Sequence, residues 1–171
     1  MDINEMYENA GKLHGHYCPG LAIGVRAAAE AVKLLGLTGR DHSLYCIAES
    51  SACYLDGIQW VFGTTMGNGN MELRDRGKTA FNFYDRASGR SVRFCAKKWP
   101  SIADRQEMAS FILTAPLEEV FSVGETRLMP PEDTYSPKEK AVCPLCGEEC
   151  VTGFMEQKDG ALVCPDCLGK Q

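Results

Sequence analysis

Three segments hold the residue types that do chemistry. The first, His14-Gly15-His16-Tyr17-Cys18-Pro19-Gly20, contains two of the chain's three histidines together with a cysteine. Imidazole nitrogen and thiolate sulfur suit zinc, iron or nickel, and a thiolate is also a nucleophile. Read as extended chain, the alternation places His14, His16 and Cys18 on one face. Neighbouring members then lie about 7 Å apart and the outer pair about 13 Å, so all three share an ion only if the chain bends. Gly15 permits the bend. Pro19 suits the first turn of a following helix, whose dipole favours a thiolate at Cys18. The plain alternative is a pair of loop histidines beside a small buried cysteine.

The second segment, Glu49 to Gln59, places Cys53 and Asp56 three residues apart, on one face of an expected helix. Gly57 beside them allows a ligand or another backbone to approach closely. A core cysteine next to a first-turn carboxylate is the competing explanation.

The third is Cys143-Pro-Leu-Cys146, 17 residues, then Cys164-Pro-Asp-Cys167. Two such knuckles supply a closed tetrahedron of sulfurs, with Zn–S bonds of about 2.3 Å and no open position for substrate. The expectation is a structural zinc site of Cys143, Cys146, Cys164 and Cys167; a redox Cys-x-x-Cys pair is the weaker alternative. Cys150 is surplus. Residues 142–171 carry five acids against two bases. Four thiolates around zinc add further negative charge, which opposes nucleic-acid contact and favours protein docking or dimer support.

These segments sit in a chain of 171 residues with 44% hydrophobic and 24% charged residues and a net charge of −5. That composition is globular and excludes wholesale disorder. The longest apolar run, Leu21 to Leu37, is broken by Arg26, Glu30 and Lys33, so no membrane span is expected. The acidic start, Met1-Asp2-Ile3-Asn4-Glu5, is unlike a signal peptide. Nine cysteines, an odd number, argue for thiols and metal ligands over a disulfide framework. A cytoplasmic protein is expected.

The elements that position the three segments follow from periodicity and punctuation. Residues 130–140 hold three prolines and five charges and no aliphatic residue, a semi-rigid linker. It divides a body, residues 1–129, from a tail, residues 142–171, too short to fold on apolar burial alone; the linker spans 130–141. In the body, helices are expected over 2–13, from Leu21 to Leu35, over Ser51–Phe62, and over Ser101–Phe121 with a break at Pro116. Ser43–Ala48 reads as a strand, and Lys78–Tyr84 with Arg90–Ala96 as a hairpin. Thr126–Met129 adds an edge strand. The fold class is therefore α+β, an antiparallel sheet covered by helices, followed by a small zinc ribbon-like domain. In the tail, Lys158-Asp159-Gly160 turns a β-ribbon.

Two further stretches carry weaker signals. Gly63–Asn70 is glycine-rich and polar without a P-loop pattern; its amides and hydroxyls suit either a pocket wall or a plain loop. Arg86, Arg90, Arg93, Lys97 and Lys98 lie in a run without an acid, either a solvated sheet face or an anion-recognising wall.

The string His14-Gly-His-Tyr-Cys-Pro-Gly-Leu, with Cys53-x-x-Asp-Gly-Ile-Gln59, the Gly63–Asn70 loop and Gly77-Lys78, resembles the FmdE-like family associated with formylmethanofuran dehydrogenase. The resemblance covers about residues 10–100 and implies an α+β core that forms a homodimer. It also implies a cavity around His16, Cys18 and Cys53 that holds a second metal ion, zinc the first choice. His14 is a further ligand candidate, and Gln59, Thr64, Thr65, Asn68 and Lys78 are the expected ligand contacts. In methanogens, family members accompany a molybdenum- or tungsten-pterin enzyme of one-carbon metabolism, so partner subunits of such an enzyme are implied. Thr64 stands where the family commonly has a cysteine, and Asn68 where it commonly has a basic residue.

Three functions fit this reading. One is a two-site zinc protein accessory to formylmethanofuran dehydrogenase-type or molybdopterin metabolism. Another is a metal-dependent enzyme on a small anionic substrate, with Cys18 or Asp56 as the catalytic candidate. The last is a pure interaction protein docked through its ribbon, without nucleic acid or membrane as partner.

Overall fold

The computed structural model describes residues 1–39, 42–132 and 138–169. The chain divides into two compact units, Met1–Glu132 and Asp133–Gln171. The middle of the expected linker, residues 133–137, lies outside the described residues. Among the described residues no helix is long and apolar enough to cross a membrane.

The first unit begins with helix α1, Ile3–His14. Asp2 caps it, its Oδ1 accepting from the amides of Asn4 and Glu5, and Gly15 ends it at φ 85°, a left-handed conformation that glycine adopts at little cost. Helix α2, Pro19–Leu35, is rich in alanine and glycine and buried on almost every side. Small side chains let it lie against α1, against α3 (Tyr54–Phe62), and against α4 (Arg105–Thr114). A short helix α5, Leu117–Val120, follows Pro116, the break expected from sequence.

These helices cover one face of a five-stranded sheet of order β2-β1-β3-β4-β5: Met71–Leu73, Leu44–Ala48, Ala80–Asp85, Arg90–Ala96 and Phe121–Gly124. The sheet is antiparallel except for the β1–β2 pair, which runs parallel. Alternation sorts the central strands. Cys46, Ala48, Phe81, Phe83, Val92 and Phe94 face the helices, whereas Tyr45, Ile47 and Tyr84 form a smaller cluster on the opposite face with Leu128. Phe62, Phe83, Phe94 and Phe121 form a chain of tilted and edge-on rings with centroids 4.7, 5.8 and 5.6 Å apart, the offset geometry that aromatic quadrupoles favour.

Several sequence expectations need correction. The edge strand is Phe121–Gly124, not Thr126–Met129. Residues 126–131 instead lie over the second sheet face, where Asn82 accepts from the amide of Arg127 and the guanidinium of Arg74 donates to the Met129 carbonyl. Strand β2, at three residues, is too short to carry an alternating signal. Helix α3 starts at Tyr54, so Cys53 precedes it as its N-cap. Of the two readings of the basic run, the anion-recognising wall loses its central member to pairing, while Arg90, Lys97 and Lys98 are exposed. Arg93 is buried against Glu49 through two contacts of 2.7 and 3.0 Å. Arg86 lies over the Tyr45 ring, and Lys97 donates to the Glu118 carbonyl.

The second unit contains two small ribbons, β6–β7 (Lys140–Val142, Glu149–Val151) and β8–β9 (Glu156–Lys158, Ala161–Val163), then a helical turn α6, Pro165–Leu168. Asp159 and Gly160, at φ 51° and 81°, make the turn of the second ribbon, as expected for an Asp-Gly pair.

Candidate metal centres

The body site is built where three helix ends meet. His14 is the last residue of α1, Cys18 caps α2, and Cys53 caps α3. The chain between His14 and Cys18 is a tight helix–turn–helix, not the extended strand that alternation suggests. Gly15 supplies the bend. As a result one donor atom from each of His14, His16, Cys18 and Cys53 lies within 4.8 Å of all the others.

Close helix packing brings Cys53 to the group. A β-carbon at Gly24 would fall 1.9 Å from the Tyr54 carbonyl oxygen, and one at Gly57 would fall 2.7 Å from the Val25 nitrogen. Glycine at both crossings therefore lets α2 and α3 touch backbone to backbone. Gly20 sits against the sulfurs themselves, 3.7 Å from Cys53 Sγ and 3.8 Å from Cys18 Sγ by the same measure.

Cys18 and His14 are held by hydrogen bonds. The Leu21 amide donates to Cys18 Sγ at 3.3 Å, and the Tyr7 hydroxyl donates to the Cys18 carbonyl at 3.1 Å. His14 Nδ1 lies 2.7 Å from Asp56 Oδ2, and Gln59 Nε2 donates to Asp56 Oδ1 at 3.2 Å. That leaves His14 Nε2 facing Cys18 Sγ at 3.9 Å. The two imidazoles lie with centroids 4.3 Å apart. Burial and the neighbouring Cys18 push the Cys53 thiol up from its ordinary value. Cys18 is buried and His16 exposed, so the group opens to solvent on the His16 side.

Two thiols and two imidazoles arranged in this way fit a tetrahedral zinc-type ion. Asp56 would then be no ligand. It is placed to hold His14 in the tautomer protonated at Nδ1, the carboxylate–histidine–metal arrangement.

Beside Asp56 is a cleft of about 400 Å³ lined by Leu13, Asp56, Gln59, Trp60 and Thr65. Gln59 and Thr65, two of the expected ligand contacts, line it. Thr64 is wholly buried, and its hydroxyl has no hydrogen-bond partner among the described residues. Asn68 is exposed in the same loop, its amide donating to Thr65 Oγ1, while the Asn70 side chain accepts from the Thr65 amide. Lys78 is not among the residues lining the cleft; its amide donates to the Glu49 carbonyl and its carbonyl accepts from the Ser50 hydroxyl. Sequence reasoning misses Trp60 and the pairing of His14 with Asp56; the latter joins residues 42 positions apart and leaves no local signal.

In the second unit, sulfurs of Cys143, Cys146, Cys164 and Cys167 also lie within 4.8 Å of one another. Backbone amides aim at them. Donation from the Cys164 amide, then from Cys146, lowers the Cys143 thiol to about 6, whereas hydrogen bonding with Cys164 and burial push Cys167 up to about 12. Crowded sulfurs cannot all ionise unaided; a divalent ion supplies the charge that lets them. Cys150 is outside this group, its thiol turned to the Val151 carbonyl and packed with the ribbon's small core.

Comparison with known proteins identifies the family. The chain is 35% identical over 98 residues to a probable S-adenosyl-L-methionine-binding protein of Archaeoglobus fulgidus, covering 53% of this chain and 26% of that protein. It shares its fold with the crystal structure of a tungsten formylmethanofuran dehydrogenase FmdE-like protein from Syntrophus aciditrophicus. That match has a TM-score of 0.73 at 23% identity, over 98% of this chain and 92% of the other. Residues 13–122, which carry every ligand candidate of the body site, match the family model described as FmdE, molybdenum formylmethanofuran dehydrogenase operon, and the chain belongs to that family.

Proposed function

We propose that this protein binds two zinc ions, a structural one in the tail and a functional one in the body, and serves as an accessory protein to formylmethanofuran dehydrogenase-type one-carbon metabolism. The body ion is held by Cys18, Cys53, His14 and His16. The observation that carries this reading is the convergence of those four donors within 4.8 Å, with His14 oriented by Asp56. Two thiolates and two imidazoles favour zinc over the oxygen-seeking magnesium and calcium. The accessory role is supported by the family's operon description and by the fold shared with an FmdE-like protein. The setting proposed for this role, carried over from the family resemblance, is a cytoplasmic homodimer working beside molybdenum or tungsten subunits.

The test is elemental analysis of purified full-length protein. Two equivalents of zinc per chain are expected, falling to one in the Cys18→Ala/Cys53→Ala variant. One equivalent in both proteins would refute the body site. Co-purification of the tagged protein with molybdenum or tungsten subunits from a native host tests the accessory role; its absence under gentle lysis counts against it.

A second reading, a metal-dependent enzyme, draws on the exposed His16. An ion held firmly by His14, Cys18 and Cys53 could exchange that fourth ligand for water or substrate, opening a catalytic position beside the cleft. In this reading Asp56, 41% exposed, is the candidate general base.

A further inference from the structure

A second cavity, of about 340 Å³, is lined by α1, the turn after it and α4, and both helices pack against α2. From α4 it takes one stripe: Arg105, Ala109 and Leu113 at successive four-residue steps, with Gln106 and Ser110 beside them. Ala109 and Leu113 are buried and give the cavity an apolar lining. Asn4 and Tyr7 come from α1, and Tyr17 from the turn. None of these residues belongs to either group of metal-ligand candidates.

The two tyrosines are fixed before any ligand arrives. The Tyr7 hydroxyl donates to the Cys18 carbonyl at 3.1 Å, and the Tyr17 hydroxyl to the Glu8 carbonyl at 3.4 Å. Their rings lie 5.6 Å apart at 59°, a tilted pair. Gly11 makes room for Tyr17: a β-carbon there would fall 2.1 Å from its Cε1. Tyr17 is therefore held in place although it is 54% exposed, and a rigid aromatic side chain gives contact area at little cost in conformational entropy. Both hydroxyl protons are already committed, so polar recognition falls to the other lining residues. Arg105 is the one charged side chain among these, and it forms no ion pair among the described residues. Asp104, beside it in sequence, caps α4 through Oδ1, and neither Asp104 nor Glu107 lines the cavity. A single cation balances a single negative charge. A carboxylate meets that condition and can accept two parallel hydrogen bonds from a guanidinium. A phosphate monoester, at about −1.5 to −2, would leave charge without a partner.

We propose that this cavity binds a small aromatic carboxylate, its ring against Tyr7 and Tyr17 and its charged end at Arg105. Asn4, Gln106 and Ser110 add hydrogen-bonding groups around it. An apolar and aromatic lining with a few polar side chains, at about 340 Å³, is the make-up of a small-molecule site. The inference goes beyond the metal centres and does not rest on either ion being bound.

The test is an amide-resolved NMR titration of the full, zinc-loaded chain with four probes: phenylacetate, neutral phenylacetamide, non-aromatic cyclohexylacetate, and phenyl phosphate. Phenylacetate is expected to shift amides within residues 4–17 and 105–113. It should bind at least about tenfold more tightly than phenylacetamide, the usual gain from a charge-assisted contact. Over cyclohexylacetate the expected preference is about threefold, the contribution of ring-on-ring geometry. Arg105→Gln should bring phenylacetate down to the affinity of phenylacetamide, and Tyr17→Leu should erase the preference for the aromatic ring. Both side chains are exposed, and unchanged amide positions away from the cavity verify that each variant is folded. Equal binding of acid and amide, or an Arg105→Gln variant that binds phenylacetate as the natural chain does, overturns the proposal. So do shifts centred outside the two segments, tighter binding of phenyl phosphate than of phenylacetate, or no shift from any probe.

Discussion

Gly24 in α2 and Tyr54 at the start of α3 are in backbone contact: a methyl group on Gly24 would sit 1.9 Å from the Tyr54 carbonyl oxygen. Tyr54 follows Cys53 directly, so the separation of the two helices also sets the position of that sulfur relative to Cys18. Gly24→Ala must push α3 outward. The expected cost is about 1–3 kcal/mol of stability, the usual range for overpacking, together with loss of the body metal. Thermal denaturation and elemental analysis of the same sample check both parts. Unchanged zinc content in a destabilised variant would mean the helix crossing does not position Cys53.

Asp56 is expected to tune the metal without binding it. In Asp56→Asn the side chain keeps its shape but no longer offers a full charge to His14 Nδ1, which it meets at 2.7 Å. Loss of such a carboxylate partner weakens metal binding by roughly 10–100-fold. Competition with a chromophoric chelator measures it. Equal affinity in the variant would remove Asp56 from the site.

How much of this is legible in the sequence depends on the range of the interaction. The two cysteine knuckles, the α2 periodicity, the β3–β4 hairpin and the break at Pro116 are local patterns, and all are present. The convergence of the His14–Cys18 segment with Cys53 is what the family resemblance implies, and it needs the chain to bend out of the extended shape that alternation suggests. Period-two alternation over five residues looks the same whether the chain is extended or turns sharply between two helices. The Gly15 bend is the available clue. Burial of Arg93 is hidden because its partner, Glu49, is 44 residues distant, and a run of basic residues carries no record of such pairing. Likewise the cleft wall combines α1, α3 and the loop after α3, a juxtaposition that only the tertiary fold creates.

Metal removal should distinguish the two units. Among the described residues the tail buries few, with Cys143, Met155, Val163 and Cys164 at their centre, and two of these are ligand candidates. Such a unit owes its folding free energy to the metal. The body has a large apolar core of its own, independent of either ion. Strong chelation of the full chain is therefore expected to collapse the amide dispersion of residues 138–169 while that of the body persists outside the His14–Cys18 turn. A tail that stays folded in chelator would contradict a structural role for its four sulfurs.

The Glu49–Arg93 pair provides a pH signature. Arg93 bonds both Glu49 oxygens at 2.7 and 3.0 Å, and Asn82 Nδ2 donates to Oε1 at 3.0 Å, all in the interior of the sheet's second face. The hydrogen bonds from Arg93, above all, hold the Glu49 carboxyl below its ordinary value of 4.5, against the opposing effect of burial. A depressed folded-state value means that the unfolded chain takes up the proton first. The pair's contribution is therefore fully present above the ordinary carboxylate range and is lost as pH falls through the lower folded value. Glu49→Ala leaves the Arg93 charge buried and unpaired, at an expected cost of about 3–5 kcal/mol. Replacing both residues with methionine should recover much of that loss, because apolar pairs of similar volume often match a buried ion pair. Denaturant titrations between about pH 3 and pH 7 check the sign: the wild-type curve should steepen below the ordinary Glu49 value, and the double variant's should be shallower. Parallel curves would show that the stability lost in acid comes from other carboxylates.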